Sequence, residues 1–177
     1  MKTLLTCLVL MLLGIISGCA TPIPPTKEAI VAITRSDYDA FTRTHKIIGP
    51  KRTFQTKGSA FVNNVDWLLR AWKQESNPAT LQLYVEYRNE GWAYLNRAVA
   101  MTGDQLEISR IDSDVETSSS TTGVIVTETV GIIVPVDLLK CHTADGIIVR
   151  VYGQRDTFDI FVPGYYIDGF LSRIPAD

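Results

Sequence analysis

The sequence predicts an α+β domain: a single curved antiparallel β-sheet or small barrel covered by one mid-chain helix and a C-terminal helix. Three observations point there. Leu81–Arg88, Gln105–Ile111 and Ile147–Tyr152 alternate apolar and polar residues, the period of a half-buried strand. The links between such segments are short, which favours antiparallel pairing. Asn64–Glu75 and the stretch after Pro163-Gly164 instead carry apolar residues at helical spacing.

Along the chain, Glu28–Thr34 is a short β-prone segment, and Gly49-Pro50 and Lys57-Gly58 punctuate the stretch between it and Asn63. Val65, Leu68, Leu69 and Trp72 place the mid-chain helix; Asn63 or Asn64 would cap it and Asn77-Pro78 would end it. Leu81, Leu83, Val85 and Tyr87 share one strand face, and Asn89-Glu90-Gly91 reads as a turn. In Trp92–Met101, Trp92, Leu95, Ala98 and Val99 also fit a helix. The short link to the preceding strand favours a hairpin partner instead.

Gly103-Asp104 turns the chain into a strand with Leu106 and Ile108 inward. Thr117–Thr122 is a polar run, expected as an exposed loop or hairpin tip. Val124–Val134 is apolar on both faces and rich in β-branched residues, as a doubly buried central strand would be. Pro135–Lys140 suits a single helical turn, and Ile147–Tyr152 and Thr157–Val162 are strands. Tyr166 and Phe170, with Ile167, Leu171 and Ile174, make the apolar face of the last helix.

The amino terminus has a different logic. Met1-Lys2-Thr3 carries one positive charge, and Leu4–Ile16 is apolar or nearly so and free of charge, the length of an export-signal core. Ser17 and Gly18 are the small residues that a cleavage site needs. Ile16-Ser17-Gly18-Cys19 resembles the lipobox of bacterial lipoproteins: an aliphatic residue, a small one, Gly or Ala, then Cys. The resemblance covers residues 1–20. It implies cleavage between Gly18 and Cys19 and lipidation of Cys19. Ala20 is not Asp, so the same resemblance implies passage to the outer membrane if the host is Gram-negative. An uncleaved helix over Leu4–Ala20 would sit at the short edge of what spans a bilayer, about 17–25 residues.

The chain thus divides into a signal peptide (1–18), a lipidated Cys with a Pro-rich tether (19–26) and one globular β-rich domain (27–177). Thr21–Thr26 holds three prolines and reads as an extended, semi-rigid spacer. The remaining domain, roughly 150 residues, is a common size for one core. The whole chain has 17 basic and 19 acidic residues, with no basic excess that would suggest nucleic acid. Of three cysteines, Cys7 leaves with the signal and Cys19 is committed to lipid. Cys141 is then expected as a buried or semi-buried structural residue.

Cys141-His142 superficially suggests a nucleophile and base, but neighbouring residues diverge on strand or helix, and His45 has nothing to orient it. Asp112, Asp114 and Glu116 would line one strand face. They lack the Gly and Glu spacing of a calcium loop and read as a solvated acidic edge. Arg35, Arg43, Lys46, Lys51, Arg52 and Lys57 outnumber Asp37 and Asp39, while residues 104–116 are acidic. The surface is expected to be dipolar, or the two stretches to face each other or water.

Glu128 interrupts the most apolar strand. It should be paired, with Arg150 or Arg155 as candidate partner, or face solvent. Trp67, Trp72, Trp92, Tyr84, Tyr94, Tyr165 and Tyr166 are expected chiefly as core and rim packing. No hydrolase, zinc-protease, phosphate-loop or Cys-x-x-Cys motif occurs.

These features lead to the expectation of a membrane-anchored, non-enzymatic envelope lipoprotein. It would need no cofactor or metal, would bind no nucleic acid, and would meet the membrane through its lipid and a protein partner through its domain. The alternatives are a lipid- or glycan-binding module and, with least support, a carboxylate hydrolase.

Overall fold

A computed structural model describes residues 24–56, 63–75, 77–117 and 124–175. The signal, Gly18, Cys19, Lys57 and the polar run after Thr117 lie outside these residues. No helix among them is long and apolar enough to cross a membrane. The architecture is α+β and mostly antiparallel, with two open sheets in place of the single sheet or closed barrel expected.

The larger sheet contains β1 (Arg35–Asp39), β2 (Thr44–Ile48), β3 (Arg52–Gln55), β4 (Asn64–Gln74), β5 (Thr80–Glu90), β8 (Ile108–Thr117) and β9 (Val124–Ile133). Its order is β1-β2-β4-β5-β9-β8, with β3 also on β4. The smaller sheet runs β11-β10-β6-β7, from β6 (Arg97–Ala100), β7 (Gln105–Leu106), β10 (Ile147–Tyr152) and β11 (Thr157–Val162). Three helices complete the described residues: α1 (Lys27–Ile33), α2 (Val136–Cys141) and α3 (Gly164–Leu171).

The expected mid-chain helix is strand β4. Val65, Trp67, Leu69 and Ala71 alternate inward and are buried. Leu68 and Trp72, which completed the helical spacing, stand half-buried on the other face. The β-prone Glu28–Thr34 is instead α1. Thr26 caps it by accepting from the Ala29 N–H at 3.2 Å, and the Thr34 hydroxyl closes it on the Ile30 carbonyl at 2.7 Å. Ile30 is fully buried against α3, where a Cβ on Gly169 would sit 2.7 Å from the Ile30 Cβ. Only glycine lets these helices approach so closely, and Lys27 pairs with Asp168 beside the crossing at 3.0 Å.

Residues 97–100 form the strand β6, but it pairs with β10 and β7, not with β5. β9 is buried on both faces as expected, although it lies next to the edge strand β8 and not at the sheet centre. α2 and α3 fall where the sequence places a helical turn and the last helix. The inner faces of both sheets and the three helices share one hydrophobic core. Trp67 packs on Tyr166 of α3 with ring centroids 5.0 Å apart, and Tyr87 packs on Phe158 at 4.8 Å, joining the two sheets.

Candidate functional site: a groove along the edge strand β11

In the smaller sheet, Val149 and Val151 of β10 and Phe158, Ile160 and Val162 of β11 point into the core. The strand period therefore turns Ile148, Arg150 and Tyr152, and Thr157, Asp159 and Phe161, to the other face. The register pairs them as Ile148↔Phe161, Arg150↔Asp159 and Tyr152↔Thr157.

Three open clefts succeed one another along this face. The first, about 480 Å³, is lined by Phe54 of β3 and Thr56 just after it, by Tyr87, and by Asp156 and Arg150. It shares Arg150 and Asp159 with the second, about 270 Å³. The second shares Met101 and Ile148 with the third, about 330 Å³, which reaches Phe161 and His142. Another cleft of about 490 Å³ lies between α2 and the end of α3.

The groove changes chemistry along its length. At one end Asp156 accepts from the Tyr87 hydroxyl at 3.2 Å and from the Asn89 amide at 2.6 Å. Burial, then the Asp156 charge, push the Tyr87 phenol up to about 12. In the middle Arg150 grips Asp159 with two hydrogen bonds of 2.6 and 2.7 Å. That guanidinium holds the Asp159 carboxyl below the usual carboxylate range, which leaves it ill-suited to donate a proton at neutral pH. At the far end Met101 and Phe161 are exposed, at 76% and 51%, beside half-buried Ile148.

β11 is also a sheet edge. Among the described residues, its backbone hydrogen bonds go to β10 alone. Such an edge is a template for another strand.

The residues singled out in the sequence fall elsewhere, apart from Arg150 and His142. Cys141 ends α2 and is exposed, not buried as expected, because it falls on the solvent side of a single helical turn. The His142 Nδ1 lies 2.7 Å from the Leu138 carbonyl, closing that helix, and His45 packs against Tyr38 on the β1–β2 hairpin. The three do not form a nucleophilic constellation. Asp112, Asp114 and Glu116 lie exposed on the edge strand β8. A register shift at Arg110/Asp112 turns them away from the core-side face that Arg110 occupies. Among the described residues, no group of three His, Cys, Asp or Glu side chains is placed to hold a metal.

Glu128 is indeed paired, but neither with Arg150 nor with Arg155. It accepts from the backbone N–H groups of Ala93 and Tyr94 and lies 3.4 Å from Arg110, which the register shift keeps on its side of the sheet. The basic β1–β2 hairpin and the acidic β8 occupy opposite ends of the larger sheet, so they do not face each other. Lys51 is bound to Asp66 and Glu86, and Arg52 donates to the Tyr165 hydroxyl.

Trp67 and Tyr166 are core; Trp72 and Tyr84 flank the Arg70 guanidinium on the outer sheet face. Sequence reasoning missed the groove because its residues come from five separate segments. The one available signal was the apolar Phe161 on the polar side of an otherwise alternating strand.

No family model, curated protein or solved structure matched this chain.

Proposed function

We propose that this chain is a lipid-anchored protein of the cell envelope whose folded domain binds an extended segment of a partner protein along β11. Two observations carry the reading: a line of clefts crosses the outer face of the smaller sheet, and that sheet ends in β11, which has no strand on its outer side among the described residues. An extended peptide placed on that edge gains main-chain hydrogen bonds, and its alternate side chains lie against Thr157, Asp159 and Phe161. Exposed Phe161, the β11 residue at the apolar end, would meet the anchoring side chain, and Asp159 with its Arg150 partner would meet a polar one. The clefts are open and change from polar to apolar, which suits a chain crossing them better than an enclosed lipid.

The tether supports the same reading. Cys19 and three prolines before Thr26 would hold the domain on the membrane and leave the groove free to engage a neighbour. This part has its own test: Cys19→Ala should accumulate as unprocessed precursor without lipid label, and normal labelling would refute the anchor.

For the groove, Met101→Glu with Phe161→Glu places charge at the apolar end and touches no core contact. A defined partner that co-purifies with the natural chain from native membranes should be lost, while the unfolding midpoint stays unchanged. Retention of that partner by the folded double variant would refute the reading.

A further inference from the structure

Residues 91–96 form no regular element, yet they are firmly held. Ala93 and Leu95 turn inward and are buried, so Trp92 and Tyr94 turn out. Tyr94 has φ of 57°, a left-handed conformation that costs a residue with a side chain energy unless its surroundings enforce it. Glu128, only 3% exposed, enforces it by accepting from both the Ala93 and Tyr94 N–H groups, at 2.7 and 3.0 Å. A buried carboxylate on β9 thus holds a strained residue of this short segment in place.

What they hold is a cluster of two rings and two guanidiniums. The Trp92 and Tyr94 rings lie 5.9 Å apart and 23° from parallel. The Arg110 guanidinium covers Trp92 at 4.9 Å, and that of Arg155 lies over Tyr94 at 5.7 Å. Arg155 makes no ion pair among the described residues. Arg110 reaches Glu128 through one long contact of 3.4 Å, and that carboxylate is already served by the backbone. A guanidinium held over a ring still has N–H groups to offer an oxyanion, the donors with which arginine recognises phosphate.

We propose that the Arg110–Trp92–Tyr94–Arg155 cluster is a binding site for a ligand presenting several phosphate groups. Each guanidinium lies over a different ring of the pair, so a single phosphate engages one of them and a multivalent ligand engages both. This site does not depend on the groove or its partner. Its chemistry is shared by a soluble polyphosphate chain and by a bilayer of anionic phospholipid.

The test is nuclear magnetic resonance of the full chain in phosphatidylcholine nanodiscs, observing the arginine Nε–H and tryptophan indole signals. One arm adds linear polyphosphate, and the other replaces part of the lipid with phosphatidylglycerol. The signals of Arg110, Arg155 and Trp92 should move in at least one arm, and the arm that moves them names the source. Arg155→Gln should weaken the response at least about tenfold, the loss of one charge-assisted contact. Arg35→Gln, at the other end of the larger sheet, should leave it unchanged. Unmoved signals in both arms, or equal weakening by the two variants, would overturn the proposal.

Discussion

The Tyr166 hydroxyl donates to the Pro50 carbonyl at 2.8 Å and accepts from the Leu69 N–H at 3.3 Å. A single phenol on α3 therefore ties the β2–β3 connection to β4 at the bottom of the core. Tyr166→Phe keeps the ring against Trp67 and removes both bonds. It should lower unfolding free energy by about 1–3 kcal/mol in urea titration with the slope unchanged. An unaltered midpoint would mean that the hydroxyl contributes nothing.

Alkaline pH should weaken the fold through Tyr87. Its phenol is pushed up to about 12, against 10.0 for an ordinary tyrosine, and burial raises that of Tyr166 as well. Above pH 10 the unfolded chain releases these protons while the folded chain keeps them. Stability is therefore fully present below pH 10 and falls as pH rises towards 12. Urea midpoints of the natural chain and Tyr87→Phe, compared between pH 9 and 12, should converge as pH rises. A pH-independent gap between them would contradict this.

Glu128→Ala should cost about 2–4 kcal/mol, since it strands the buried Ala93 N–H and the partly buried Tyr94 N–H. It also removes what holds Tyr94 at positive φ. Residues 91–96 should become the first site of protease cleavage, which Glu128→Gln should largely prevent. Equal resistance in all three proteins would contradict the anchoring role.

Strands with one buried face were legible: β5, β10 and β11 alternate as the sequence does, and α3 begins at Gly164 after its proline. β4 misled because its outer face also carries Leu68 and Trp72, which Arg70 and Tyr84 partly cover. Apolar residues on both faces of a strand can imitate a helical period. α1 misled in the opposite sense. Its β-branched residues suit a strand, but the Thr26 cap and the Ile30–Gly169 crossing decide it, and that crossing partner lies 139 positions away.

Glu128 was legible as a carboxylate that needed partners. Its partners were not, because two are backbone groups and the third depends on the register shift in β8. The groove was least legible, since adjacency of Phe54, Tyr87, Met101, Ile148 and Phe161 exists only once both sheets have formed.

The most direct test of the groove is site-specific photo-crosslinking in intact cells, with the reactive residue placed in turn at Thr157, Asp159 and Phe161. The account predicts that all three capture one partner, and that mass spectrometry places their crosslinks at successive alternate positions of one extended segment. Exposed Phe41, on the β1–β2 hairpin, should not capture it. Crosslinks scattered over unrelated proteins, or the same partner captured equally from Phe41, would contradict binding along β11.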